Sequence, residues 1–171
     1  MTVTPLGEYA VFRKPLYGGA NYSGDGFYIV GVTGQIPLAP RLYMETGFEY
    51  SKHTLLISPN LPPNVDKTPY KSSFKLASIP VTLKMNFLKY LFVNGGCLLD
   101  LDTSSSSPID NQTGLGAILG TGIQHDFKFG GSLIVNPYLK CHSLMPFSPG
   151  QYHQKLFYSG IRIGFMYSLS K

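Results

Sequence analysis

"SIPVTLKMNFLKYLFVNGGCLLDL", residues 78–101, is apolar enough to cross a membrane, yet Lys84, Asn86, Lys89, Asn94 and Asp100 interrupt it. The interruptions keep a period of two. In 91–102, Leu91, Val93, Gly95, Cys97, Leu99 and Leu101 share one face, and Phe92, Asn94, Gly96, Leu98, Asp100 and Asp102 share the other. Upstream, Ala77, Ile79, Val81, Leu83, Met85 and Phe87 alternate with Ser78, Pro80, Thr82, Lys84 and Asn86. Successive side chains of a strand point to opposite faces, so the stretch predicts two strands joined by the tight "LKY" turn. Each has an apolar face and a face of polar or small residues.

The same alternation recurs along the chain. "GFYIVGVTGQIPL" sets Tyr28, Val30, Val32 and Ile36 against Ile29, Gly31, Thr33 and Gln35. "RLYMETGFEYSK" sets Leu42, Met44, Phe48 and Tyr50 against Tyr43, Glu45, Gly47, Glu49 and Ser51. Strands of the same kind follow in "TGLGAILGTGIQHDF", "LIVNPYLKCH" and "LFYSGIRIGFMYSL", and a first one is expected in "EYAVFRKPLYGGANY". Connections alternate in length: short near 37–41, 88–90 and 128–132, long at about 18–26, 56–72, 103–113 and 144–155. That rhythm predicts an all-β, eight-stranded antiparallel up-and-down barrel, with one rim trimmed and the other elaborated. A chain of 171 residues makes one such domain, 1–171, with residues 1–7 expected to lie outside it as a disordered or appended extension.

Composition bounds the function. Charged residues are only 13 % of the chain, about half the usual share for a soluble domain. Aromatics are 13 %, led by 12 Tyr and 11 Phe, with 19 Gly and no Trp. The net charge of +5 comes from singly scattered Lys and Arg, without a basic run or a nucleic-acid motif, so no nucleic-acid partner is expected. There is no run of 18 uninterrupted apolar residues and hence no transmembrane helix. The start lacks a basic segment followed by an apolar one, so either the protein stays inside the cell or its signal has been removed. Cys97 and Cys141 are too few for a disulfide scaffold and show no zinc spacing.

The alternation fits either a soluble barrel with an apolar interior, as in lipocalins, or a membrane barrel with an apolar exterior. Three features favour the membrane. The polar face is rich in Gly (31, 47, 96, 116, 120, 122, 160 and 164), which suits a cramped eight-strand interior better than a solvated surface. The same face carries few charges, of both signs, as a filled interior of mutually paired groups requires. Tyr and Phe gather near strand ends (Tyr50, Phe87, Tyr90, Phe127, Phe157 and Tyr167), where interfacial girdles lie.

"SIPVTLKMNF" and "LFVNGGCLLD", preceded by "RLYMETGFEYS" and closed by "LFYSGIRIGFMYSL", resemble the small eight-stranded outer-membrane β-barrel domain family of Gram-negative bacteria. The likeness spans about 16–169. It implies a bacterial outer membrane as location, the lipid bilayer as partner, short periplasmic turns and longer extracellular loops. It implies no common catalytic residues, and the ending "YSLSK" departs from the family's terminal aromatic.

Glu45, Glu49, Lys84, Asp100 and Arg162 form the candidate site, an ion-pair network plugging the interior, with Lys84 the expected partner of Glu45 and Glu49. No catalytic residues, metal or cofactor are expected. A lipid-modifying enzyme would need Ser and His together on one face, whereas His142 and Ser143, being adjacent, are expected on opposite faces. The expected function is thus a non-enzymatic barrel with a structural, adhesive or accessory role, meeting other envelope proteins through 56–72, 103–113 and 144–155. A soluble ligand-binding barrel is the rival.

Overall fold

A computed structural model describes the backbone of residues 2–12, 21–58, 68–104, 111–147 and 155–167, and side chains within 26–58, 68–104, 111–147 and 156–167. All regular structure there is β: β1 Thr2–Phe12, β2 Asn21–Ala39, β3 Leu42–Ser58, β4 Tyr70–Asn86, β5 Leu91–Asp102, β6 Gly114–Asp126, β7 Gly131–Pro146 and β8 Lys155–Tyr167. Every strand pairs antiparallel with its sequence neighbour, and β2–β8 form a strongly curled up-and-down sheet. The backbone of β1 pairs with β2 at Thr2, Val3 and Thr4, and with β8 from Thr2 to Phe12, which carries the strand order round a closed circuit.

Two expectations about boundaries are corrected. Residues 2–7, expected to lie outside the barrel, belong to β1; the register shift between Val3 and Leu6 brackets Pro5 and breaks the alternation that would have revealed the strand. Likewise β2, β3, β4 and β7 run into segments expected as loops: 21–26, 56–58, 70–72 and 144–146 are strand. The remaining parts of the long connections, 13–20, 59–67, 105–110 and 148–154, lie outside the described residues.

The sequence explains where the ladder bends. Proline cannot donate to a ladder. Pairing of β3 with β4 runs to Thr46↔Val81 and resumes at Glu49↔Ser78, so Pro80 stands in the gap, facing Gly47. A Cβ on Gly47 would meet Val32 O at 2.0 Å, so only glycine allows the strands to curl this tightly there. The β6–β7 pairing skips Pro137 in the same way, and the Asn136 side-chain amide supplies the missing donor to Thr121 O at 3.1 Å. In the turn before β7, Gly130 takes φ 86°.

Along most of the sheet the usual polarity of a protein is reversed. On β4, Lys84 is fully buried while its neighbours Leu83 and Met85 are exposed, and Thr82 is buried between exposed Val81 and Leu83. Outward-facing Val32, Ile36, Phe48, Ile79, Leu119, Ile123, Val135, Ile163 and Phe165 extend this apolar belt around β2–β8. On β4 the outward positions from Ala77 to Met85 are all apolar, Ala77 itself buried and Ile79, Val81, Leu83 and Met85 exposed, a run of nine residues and about the length a tilted strand needs to cross a bilayer.

Towards the long-loop rim the polarity switches. On β3 and β4, Lys52, Thr54, Lys71, Ser73 and Lys75 take the outward positions, whereas His53, Leu55, Ile57, Phe74 and Leu76 are buried. With Ile29, Leu98, Ile118, Tyr138, Leu156 and Tyr158, most of these form one apolar cluster. No strand breaks at the switch: Ser51↔Leu76 and Tyr50↔Ala77 are consecutive pairs in one register. The backbone keeps its facing, and only the chemistry of each face is exchanged.

Candidate functional site

All five residues of the candidate network are buried inside the sheet, but as three separate clusters. Nearest the short turns, Glu45 accepts hydrogen bonds from Gln35 Nε2 (2.5 Å), Thr82 Oγ1 (3.2 Å) and Asn94 Nδ2 (3.5 Å). Lys84 Nζ lies 3.7 Å from Glu45 Oε1, donates to Gln124 Oε1 at 2.5 Å and sits 4.3 Å from the centre of the Phe92 ring.

At mid-height Glu49 is held from two strands across the barrel. Lys140 Nζ pairs with its Oε2, and Arg162 Nη2 faces its Oε1 at 2.9 Å. Both cations stand 5.1 Å from the Tyr138 ring centre. Lys84 was expected to serve Glu45 and Glu49 together; it serves Glu45 alone. The true partners of Glu49 come from β7 and β8, because the curl brings non-neighbouring strands face to face.

Above this, Asp100 Oδ1 accepts from Ser78 Oγ at 2.6 Å, and His142 Nδ1 faces Asp100 Oδ2 at 2.8 Å. His142 stacks on Tyr158, their centres 5.0 Å apart. His53 lies between Phe27 and Phe74, at 5.6 and 4.9 Å, and its Nε2 is 3.1 Å from Ser51 Oγ. Among the described residues, the buried carboxylates Glu45, Glu49 and Asp100 equal in number the buried cations Lys84, Lys140 and Arg162, three negative and three positive charges, although Asp100 faces His142 and not one of the three.

The expected network left out Lys140, along with Asn94, Gln124, Asn136 and His142. Their inward parity was the available signal; which of them meet depends on a cross-barrel geometry that no strand states alone. His142 and Ser143 correct an expectation. Both are buried, because β7 bulges here: pairing jumps from Ala117↔Cys141 to Leu115↔Met145, and Ser143 takes φ 51°.

The interior is packed rather than open. Its cavity beside Glu45, Asn94 and Arg162 measures about 20 Å³, room for about one water. The Ser51–His53 pair has the elements of an activated nucleophile, but both residues are buried, level with Leu76 and Phe74 of the apolar cluster. The larger recess, about 630 Å³, is on the outside, where Pro137 interrupts the ladder, and is lined by Val93, Leu119, Thr121, Leu139 and Ile161 among others. Among the described residues no group of three or more His, Cys, Asp or Glu could hold a metal ion.

At the short-turn rim an aromatic row crosses the strand ends: Tyr90 stacks on His125, His125 meets Phe127 edge-on, Phe127 stacks on Phe129, and Phe129 on Phe165. Arg41, Lys89 and Lys128 are exposed in the three short turns. Cys97 and Cys141 are free and flank Ala117 on either side. No protein-family model and no curated protein matches the chain.

Proposed function

We propose that this chain is an eight-stranded transmembrane barrel of a bacterial outer membrane, non-enzymatic and non-conducting, acting through its long loops as a structural, adhesive or accessory envelope protein. One observation carries the reading: the exchange of polarity between Leu76 and Ala77. A soluble barrel meets water along its whole outer face and would keep polar residues there throughout. A barrel that emerges from lipid must be apolar outside and polar inside up to the boundary, then revert to an ordinary protein above it. The aromatic row at the other rim supports a second boundary, since aromatic side chains favour the membrane–water interface.

The plugged interior follows from the ion pairs and the apolar cluster, whose Leu98, Ile118 and Tyr138 reach down among the charges, and together they leave no aqueous path among the described residues. The charges supply specificity of packing more than net stability, because each was desolvated to get there. Among the described residues there is no accessible nucleophile–base pair, which favours a non-enzymatic role over lipid modification and makes the long connections the place for partner contacts.

The test is refolding in zwitterionic detergent, with boiled and unboiled samples compared on a gel beside a detergent-free control. Faster migration of the unboiled sample, with aggregation in plain buffer, supports the reading. A soluble monomer in plain buffer with no mobility shift contradicts it and turns attention to a ligand-binding barrel.

A further inference from the structure

The polarity switch also leaves an unusual arrangement on the outer surface. Lys52 and Lys75 are direct cross-strand partners on the outward face of β3 and β4. Like charges placed directly opposite destabilise a sheet pair. Tyr28 pairs with Lys52 from β2, and Lys71, four residues along β4 from Lys75, takes the same face. Ser73 and Thr54, themselves a cross-strand pair, lie between these lysines. On the β5 side, Ser104 Oγ accepts from Lys75 N at 2.8 Å and Thr103 Oγ1 donates to Lys75 O at 3.2 Å, which fixes the backbone of the patch. On the adjoining strand, the Asp102 carboxylate is occupied in its own loop by the amide N–H groups of Ser104 and Gln112. Among the described residues, neither Lys52 nor Lys75 takes part in the ion pairs Lys84–Glu45, Lys140–Glu49, His142–Asp100 and Arg162–Glu49, which lie inside the barrel.

We propose that Lys52 and Lys75 bind the phosphate of an anionic membrane lipid whose acyl chains lie against Phe48, Ile79 and Val81. This rests on the transmembrane reading above. Position argues for a lipid rather than a soluble anion. Lys75 is two residues above Ala77, the upper end of the apolar run, a step of about 6–7 Å along the strand. The headgroup layer of one leaflet is roughly 5–7 Å thick, so the ammonium groups fall at the depth of lipid phosphates. A phosphate between Lys52 and Lys75 turns their repulsion into two charge-assisted contacts, with the Ser73 hydroxyl as a further donor.

The experiment inserts the protein into phosphatidylcholine vesicles with or without a minor fraction of phosphatidic acid. Lipid retained after gentle release is then counted by native mass spectrometry. The expected result is preferential retention of phosphatidic acid, reduced roughly fivefold per lysine removed in Lys52→Ser and Lys75→Ser, and kept when both are changed to Arg. Inorganic phosphate at the same phosphate concentration should not displace the lipid. Equal retention of both lipids, retention unchanged in the double Ser variant, or displacement by inorganic phosphate each overturns the proposal while leaving the barrel in the membrane. Failure to enter pure phosphatidylcholine vesicles overturns the membrane reading, and this proposal with it.

Discussion

Leu83 and Lys84 are chain neighbours on β4, yet the leucine is 52 % exposed and the lysine 0 %. In water this pair is the wrong way round at both positions: an aliphatic side chain is left solvated and a cation is desolvated. With lipid outside and Glu45 inside, both positions are favourable. Because a strand alternates its faces strictly, the inversion propagates along β4 from Ile79 to Met85 as one property of the segment.

Removing Lys84 strands a charge. Lys84→Met leaves Glu45 with only the neutral donors Gln35, Thr82 and Asn94, and should cost about 3–5 kcal/mol. Arg162→Met should cost less, about 1.5–3 kcal/mol, since Lys140 still holds Glu49. Urea unfolding in lipid vesicles measures both, and equal costs would show that Lys140 and Arg162 do not share Glu49.

The outer face should discriminate by height. Val81→Lys, in the middle of the belt, should destabilise the vesicle-inserted barrel by about 2–4 kcal/mol. Ser73→Lys, above the switch, should change stability by no more than about 0.5 kcal/mol. The same unfolding assay reads both; similar effects at the two positions would remove the boundary between them.

Neighbouring glycines should differ sharply. A Cβ on Gly96 would fall 2.2 Å from Val81 O, a backbone atom that cannot yield, whereas one on Gly95 would meet the Leu119 Cδ1 methyl at 3.3 Å. Gly96→Val should therefore abolish the heat-modifiable folded band, while Gly95→Ala should retain it.

Cys97 and Cys141 should stay reduced. Each is paired laterally with Ala117, which puts their backbones two strand spacings apart, roughly 9–10 Å. A disulfide needs Cα atoms within about 7 Å. Mild oxidant should leave gel mobility unchanged, and Cys97, on the exposed outer face, should react with a membrane-permeant maleimide in preference to a charged one. Formation of an intramolecular bond would contradict the register.

The strand cores were legible because apolar and polar residues alternate through most of 77–101, with Phe92 and Leu98 as apolar exceptions on the inward face. The ends of β3 and β4 were not, for a physical reason. At Leu76–Ala77 the rule exchanges its faces, so two apolar residues fall side by side and the pattern reads as a strand end. The five charges were legible as interior residues from parity alone. Their pairing was not, since Glu49 meets Lys140 across 91 positions of sequence and through the curl of the whole sheet. The first strand hid behind Pro5 and Gly7, which interrupt its alternation.

The most direct test of the central claim is the depth of the outer face. A single cysteine carrying a polarity-sensitive fluorophore is placed at position 73, 79 or 81, with Cys97 and Cys141 changed to Ser, and the protein is inserted into vesicles. Quenching by brominated acyl chains should be strong at 79 and 81 and weak at 73, with iodide in the water giving the opposite order. Efficient iodide quenching at 79 and 81, equal to that at 73, would place the belt in water and contradict the account.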